Sequence, residues 1–490
     1  MTSTQGKSHP PRLAALAHLM LLAVFLAACT STGQWAPPVL SGEASKQTEL
    51  EPPLQREHQR ILTAYGGEYE NAKLQALVER TVERLVAASD RPDLHYRITL
   101  LNSPSVNAFA LPTGQLYVTR GLASLANDTS ELASVLSHEM AHVVARHAAI
   151  RESQARRVAL IDSVVNKVLS DPETGALALA KSKIALASFS RAQEFEADGI
   201  GIDISARAGF DPYGAERFLT SLGRNTGLRP ISAPSQDPYT FDFMSSHPAT
   251  LDRVKNAIDR ARQYSSPGTG EQDKADYLAS IDGLVFGEDP AEGFVRGRRY
   301  LHPKLGFTFT APEGFTLDNT SQAVIGVKEG GAEALRLDVV RVPAEQTLSE
   351  YLVSGWIENI DKSSVEKTTI NGFPAATAIS KGEQWTLRLY AVRFGSDVYR
   401  FVFATKQRTA ETDRAFKNSI SSFRRMTLAE IADAKPLRLK VVTVTPSDTV
   451  ARLAARMAIA DRPLERFLVL NGLSAGQAPK PGDQVKIVVE

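Results

Sequence analysis

Leu136-Ser137-His138-Glu139-Met140-Ala141-His142-Val143-Val144 is the stretch on which the reading of this chain turns. It lies in a longer run, 128–147, with the marks of a helix. Asp128 with Glu131 makes an N-terminal capping pair, and Leu132, Val135, Leu136, Val143 and Val144 form an apolar stripe. Residues four apart on a helix lie one turn above each other, about 40° apart around the axis. The imidazoles of His138 and His142 can therefore converge on one zinc ion at ~2.0–2.1 Å. Glu139, about a quarter turn from His138, can reach a water at the metal's open position without being a ligand. With nine histidines in 490 residues, a chance His-Glu-x-x-His is expected in about one such chain in a hundred. The alternative, two surface histidines on a helix, leaves the flanking apolar stripe unexplained.

His147 follows His138 by nine positions, about 180° around a continuing helix, so it is expected to face away from the metal. Ala145 and Ala148 stand where a Gly and a third His would be needed to ligate from the same segment. The third ligand must come from elsewhere. Cys29 is the only cysteine, so disulfides and cysteine-based zinc ribbons are excluded and the ligand must be His, Asp or Glu. Ser190-Arg191-Ala192-Gln193-Glu194-Phe195-Glu196-Ala197-Asp198 supplies carboxylates in a second apolar helical stretch. Glu194 and Asp198 share a face, whereas Glu196 is expected to point away. One carboxylate on a metal and another orienting a ligand histidine is a common arrangement. An exposed acidic helix face is the other reading.

Length and composition set the frame. At 490 residues the chain has room for about three domains. Hydrophobic residues make up 43% and charged residues 23%, the balance of a globular protein. With 56 basic and 55 acidic side chains, nothing points to a nucleic-acid partner. Lys7 and Arg12 precede an apolar run, 13–28, which reads as a secretory signal peptide; an uncleaved anchor helix is the alternative. Residues 29–55, rich in Ser, Thr, Gly and Pro, read as a flexible tether. The helical unit with the two motifs covers 56–263, and 264–295 reads as a linker. Residues 296–427 alternate like strands at Leu335, Leu337, Val339 and at Tyr399, Phe401, Phe403, with helical patterns at 347–361 and 409–422. That is an α+β domain. Residues 438–490 read as a small βααβ unit.

The pair His-Glu-x-x-His at 138–142 and Ser-Arg-x-x-Glu-x-Glu-Ala-Asp at 190–198 resembles the gluzincin zinc metallopeptidase family of HtpX, the CAAX prenyl endopeptidase and BepA. Asn107-Ala108-Phe109-Ala110-Leu111-Pro112, Ala208-Gly209-Phe210-Asp211-Pro212 and Ser246-His247-Pro248 with Arg253 extend the resemblance over roughly 56–262. It implies a mainly α zincin-type metalloprotease domain with a small edge-strand sheet, and one zinc per chain held by His138, His142 and Glu194. It implies Glu139 as general base, with Asp198 and Arg253 supporting the ligands. Asn107, Ala108, Phe109 and Ala110 would form an edge strand that pairs with an extended substrate. His247 would lie on a loop over the site, where it can take zinc's fourth position and autoinhibit, or donate to the oxyanion. A plain helix-entry histidine is the remaining reading.

Three further resemblances concern the flanking units. Leu26-Ala27-Ala28-Cys29 resembles a bacterial lipobox, which implies lipid on Cys29 and attachment to the outer membrane. Residues 296–427 resemble the PsbP/Mog-like α/β sandwich, and 438–490 resemble a LysM module, which implies peptidoglycan binding or a spacer. The expectation is a multidomain zinc endopeptidase of the bacterial periplasm acting on misfolded or misassembled envelope proteins. The other class is a non-catalytic envelope assembly factor or chaperone that uses the same fold and the LysM-like module for binding. An intact Glu139 favours the enzyme.

Overall fold

Two helices that touch backbone to backbone organise the first half of the chain. The structure, a computed structural model, describes residues 53–150, 153, 189–228, 243, 247–248, 250–320, 323–459 and 461–490. Helices α1 (Pro53–Ala64) and α2 (Ala72–Ala88) lead into strands β1 (Arg97–Leu101), β2 (Ala108–Ala110) and β3 (Gln115–Thr119). The sheet order is β1-β3-β2, with β1 parallel and β2 antiparallel to β3, so β2 is an edge. Helix α3 (Arg120–Leu125) is followed by α4 (Thr129–Val144), which begins where Asp128 accepts the Glu131 N–H. Every residue of α4 from Thr129 to His142 is buried. The apolar stripe seen in the sequence therefore understates its position: α4 is enclosed on all sides.

Helices α5 (Arg191–Arg207), α6 (Gly214–Gly227) and α8 (Lys274–Ile281) pack on it, and α7 (Leu251–Ala261) packs on α5 and α6. α5 crosses α4 at Gly201, where a Cβ would stand 2.9 Å from the His138 backbone nitrogen. At the start of α6, a Cβ on Gly214 would stand 2.4 Å from the Ser130 carbonyl oxygen. Neither position has room for a methyl group, so glycine lets both helices rest directly on α4. Residues 264–295, expected as a linker, instead carry α8, and its Tyr277, Leu278 and Ile281 belong to the core. Their burial outweighs the loop-like composition around them. Strand β4 (Val285–Phe286) follows.

The next region is built from β5 (Phe294–Arg296), β6 (Arg299–His302), β7 (Phe307–Thr310), β8 (Phe315–Asn319), β9 (Val324–Lys328) and β10 (Glu333–Arg341). It continues through α9 (Leu348–Leu352), β11 (Ile360–Ile370), β12 (Phe373–Lys381), β13 (Thr386–Phe394) and β14 (Asp397–Thr405) to α10 (Ala410–Ser421), β15 (Arg424–Arg425) and α11 (Leu428–Asp433). A seven-stranded antiparallel sheet has the order β11-β12-β13-β14-β10-β9-β8, and a smaller one has the order β15-β7-β6-β5. Phe309, Phe401, Phe403 and Phe416 of α10 lie in one core, while Leu348 and Leu352 of α9 pack on Ala376, Ala378 and Leu389 in another. The helix expected over 347–361 stops at Leu352, and Asn359, with φ of 56°, precedes β11. Leu335 and Leu337 are buried as their alternation predicts, but Val339 is half exposed, beyond the point where β9 pairs with β10.

The chain closes with β16 (Leu437–Thr443), α12 (Val450–Ala455), α13 (Pro463–Leu470) and β17 (Gln484–Val489). β16 pairs with β17 on one side and with β4 on the other. This unit does not stand apart: Leu439, Leu453, Phe467 and Val488 share one hydrophobic core with Leu74, Leu132 and Tyr277. Residues 57–490 accordingly pack as one unit. The Lys486 side chain of β17 is fully buried and donates to the carbonyl oxygens of Ser124, Leu125 and Ala126 at 2.8, 3.3 and 2.7 Å. These carbonyls belong to the C-terminal end of α3, where a helix has acceptors without partners and favours positive charge. Among the described residues no helix is long and apolar enough to cross a membrane. The signal and tether readings and Cys29 lie almost wholly outside the described residues.

Lys486→Met keeps the apolar stem and removes the donor, stranding buried carbonyls. The variant is expected to lose about 2–4 kcal/mol of stability, read by chemical denaturation of the full chain. A midpoint equal to that of the unaltered protein would mean the contact does not hold β17 in place.

Candidate metal centre

Helix α4 supplies two histidines, α5 one carboxylate, and the loop before α7 a third imidazole. One donor atom from each of His138, His142, Glu194 and His247 lies within 4.8 Å of all the others, and all four residues are buried. The Nε2 atoms of His138 and His142 are 3.1 Å apart, and His247 Nδ1 lies 3.2 Å from His138 Nε2. Glu194 stands 3.7 Å from His138 Nε2 and 3.6 Å from His142 Nε2, with its Oε1 2.9 Å from His247 Nδ1. A tetrahedron with bonds near 2.0–2.1 Å has edges of about 3.3 Å. These separations cluster around that edge, and a nitrogen-rich set with one carboxylate suits zinc. The residues present therefore fit the ion.

The supporting contacts fix each donor. His138 Nδ1 lies 3.0 Å from Asp198 Oδ1. Arg253 donates to both oxygens of Asp198 at 2.7 Å and lies 2.7 Å from Glu194 Oε2. It also donates to the Pro248 carbonyl at 3.1 Å, which ties the loop bearing His247 to the same guanidinium. Burial alone would raise the Asp198 pKa, but hydrogen bonds from Arg253 and His138 outweigh it and hold the carboxyl at about 2. Burial pushes the Glu194 carboxyl up, against the pull of His138 and Arg253. It pushes both imidazoles down, which keeps their ring nitrogens free of an extra proton and able to ligate.

Glu139 is 3% exposed. Burial, with the charge of Glu194, raises its carboxyl well above the ordinary range, while the Ala110 backbone N–H pulls it back. Its Oε1 makes no hydrogen bond among the described residues and lies 3.6 Å from His247 Nε2. The link to Ala110 follows from the strand. The Leu111 N–H donates to Gln115 and Asn107 accepts from the Thr119 N–H, so by antiparallel alternation Ala108 and Ala110 turn their amides to the open edge. Asn107 is held from behind by a 2.9 Å bond to the Tyr65 hydroxyl, and Phe109 stacks on Tyr117 at 4.9 Å.

His247 is 2% exposed. Its amide donates to the Phe243 carbonyl at 2.7 Å, and the Phe243 ring stacks on its imidazole at 4.6 Å. His147 departs from expectation. α4 ends at Val144, Arg146 adopts φ of 55°, and the chain folds back. His147 Nδ1 then lies 2.9 Å from His142 Nδ1, and its Nε2 3.3 Å from Glu196 Oε2. His147 and Glu196 are not among the clustered donors, but neither faces away from the site. No glycine marks this helix end in the sequence, and a left-handed arginine is an uncommon stop.

A helix-borne His-Glu-x-x-His whose donors meet a carboxylate from a second buried helix is an arrangement that zinc metallopeptidases use. Residues 72–261 match the family model described as Peptidase family M48, and the donors this region brings together suit one zinc ion. The chain is 32% identical over 204 residues to the beta-barrel assembly-enhancing protease of Yersinia pestis, covering 40% of this chain and 40% of that protein. It is 32% identical over 179 residues to the mitochondrial metalloendopeptidase OMA1 of Schizosaccharomyces pombe, covering 36% of this chain and 50% of that protein. The chain thus spans half or less of the length of these relatives. The solution structure of cyanobacterial PsbP from Synechocystis aligns with 28% of this chain and 98% of its own, at 17% identity and a TM-score of 0.23.

Proposed function

We propose that the protein is a zinc-dependent endopeptidase of the bacterial cell envelope that cleaves misfolded or misassembled envelope proteins. The observation that carries this reading is the buried set His138, His142 and Glu194 with Glu139 beside it. The relative named for beta-barrel assembly supports envelope proteins as the substrate class and the periplasm as the location. In this reading His138, His142 and Glu194 hold the zinc, with Asp198 and Arg253 fixing their orientation. When bound, zinc supplies the Lewis acidity that polarises a scissile carbonyl and makes water a better acid.

The chain's own residues do the rest. The backbone of Ala108 and the carbonyl of Ala110, on the outer side of β2, pair with an extended substrate and align its scissile bond along that edge. Glu139, whose proton affinity burial has raised, takes the proton of the attacking water and passes it to the departing amine. Because Glu139 is hydrogen-bonded to Ala110, the base is registered to the strand that holds the substrate. Glu139→Gln is expected to retain zinc and fold while its casein cleavage falls by at least about 10²-fold, and His142→Ala is expected to lose both zinc and activity. Cleavage by Glu139→Gln at the unaltered rate would sink the mechanism. Envelope assembly that survives loss of cleavage would favour the non-catalytic assembly reading.

The position of His247 supports autoinhibition. Its Nδ1 lies at tetrahedral-edge distance from His138 and close to Glu194, where it would complete the metal's coordination and exclude water. His247→Ala is expected to raise casein cleavage or self-cleavage. Loss of activity with zinc retained would instead make His247 an oxyanion donor, a role worth roughly 10²–10³ in rate.

Lipid attachment at Cys29 and residence at the outer membrane complete the proposal. Fractionation tests it: Cys29→Ser should leave the membrane pellet, and a variant that still sediments with membranes after high salt would favour an anchor helix. Peptidoglycan contact by residues 438–490 would have to use a surface not packed against α6 and α8.

A further inference from the structure

We propose that His147, oriented by Glu196, is a positioning residue that sets the tautomer of His142 and so the affinity of the centre for its metal. The inference rests on the reading of His142 as a ligand. His142 Nε2 faces His138 Nε2 at 3.1 Å and Glu194 at 3.6 Å, so its lone pair must point into the cluster. The ring proton of the neutral imidazole then sits on Nδ1. That nitrogen is 2.9 Å from His147 Nδ1, which must therefore accept. His147 in turn carries its proton on Nε2, which lies 3.3 Å from a carboxylate oxygen of Glu196. Each proton's place is dictated by the next group out, and the series ends on an acceptor that cannot reverse it.

The two histidines of the motif are supported unequally. His138 donates to Asp198, a full anion gripped by Arg253 at 2.7 Å. His142 donates to a neutral ring whose own partner, Glu196, has a side chain 58% exposed. An anionic acceptor makes a ligand imidazole more electron-rich than a neutral one does, so what His147 gives His142 is chiefly a fixed tautomer and ring orientation. Packing alone does not call for an imidazole at 147. The residue is 1% exposed, lies edge-on to His142 with centroids 4.9 Å apart, and has Phe189 at 6.1 Å. An aromatic hydrocarbon would fill that space. The chain turns left-handed at Arg146 to bring His147 here.

Two variants separate hydrogen bonding from packing. His147→Phe keeps a ring without an acceptor. His147→Asn loses ring volume but places an amide oxygen where Nδ1 stood. Zinc affinity is measured on the full chain by competition with a chelator, alongside the visible spectrum of the cobalt-substituted protein and the melting of the metal-free form. His147→Phe is expected to weaken zinc roughly 10–100-fold and shift the cobalt bands, while its metal-free form melts like the unaltered protein. His147→Asn is expected to hold zinc within a few-fold of the unaltered protein and keep its spectrum, and Glu196→Ala should lose less than His147→Phe. The inference is overturned if His147→Phe binds zinc as the unaltered protein does. It is equally overturned if His147→Asn falls as far as His147→Phe, since that outcome assigns His147 to packing. A His142→Ala variant with unchanged zinc affinity would overturn the ligand reading itself, whatever the two His147 variants do.

Discussion

Three buried carboxylates around one buried arginine set the terms for the rest of the molecule. Glu139, Glu194 and Asp198 are each under a tenth exposed, and Arg253 meets Glu194 and Asp198 directly. Removing an ionised carboxylate from water is costly unless a counter-charge replaces the solvent. The guanidinium balances one of the three, and a divalent cation held by the clustered donors would balance the other two. The raised pKa values of Glu139 and Glu194 register that shortfall in the protein alone. Gly201 brings it about, because a backbone approach at His138 forces the acids of α5 onto the face of α4 that carries the histidines. Metal binding and folding are coupled in such a centre.

The same economy of contact links sheet and helix. Ala110 belongs to the open edge of a three-stranded sheet and also donates its N–H to Glu139. The Glu139 carboxylate is therefore positioned from that strand as well as from the helix that carries it. Pro248 plays a comparable part on the opposite side, where its carbonyl binds the arginine that orders the carboxylates.

Much of the centre is legible in the sequence because helix periodicity is strict. Four-residue spacing puts His138 over His142 and Glu194 over Asp198 whatever the tertiary context, and the structure brings both pairs together as that spacing requires. His147 escapes the same logic, since the periodicity holds only while the helix lasts and Arg146 ends it without a glycine. Residues 264–295 mislead for a different reason. Their Gly, Pro and Ser content signals loop, whereas the short helix α8 exists because neighbours distant in sequence bury Tyr277 and Ile281. Long-range burial of that kind leaves no local pattern, which is also why the fusion of residues 438–490 with the helical core is invisible before the fold is seen.

That fusion bears on when the metal centre can form. Lys486 and the carbonyl of Ser124 are 362 residues apart in the chain, so the core around α4 closes only after β17 has left the ribosome. Closing so long a loop is slow, and contacts of high sequence separation come late in folding. A metal centre whose helical core is walled in part by β17 is complete only once that strand has been made and docked. The donors carried by α4 and α5 are thereby made early and brought to their final packing late.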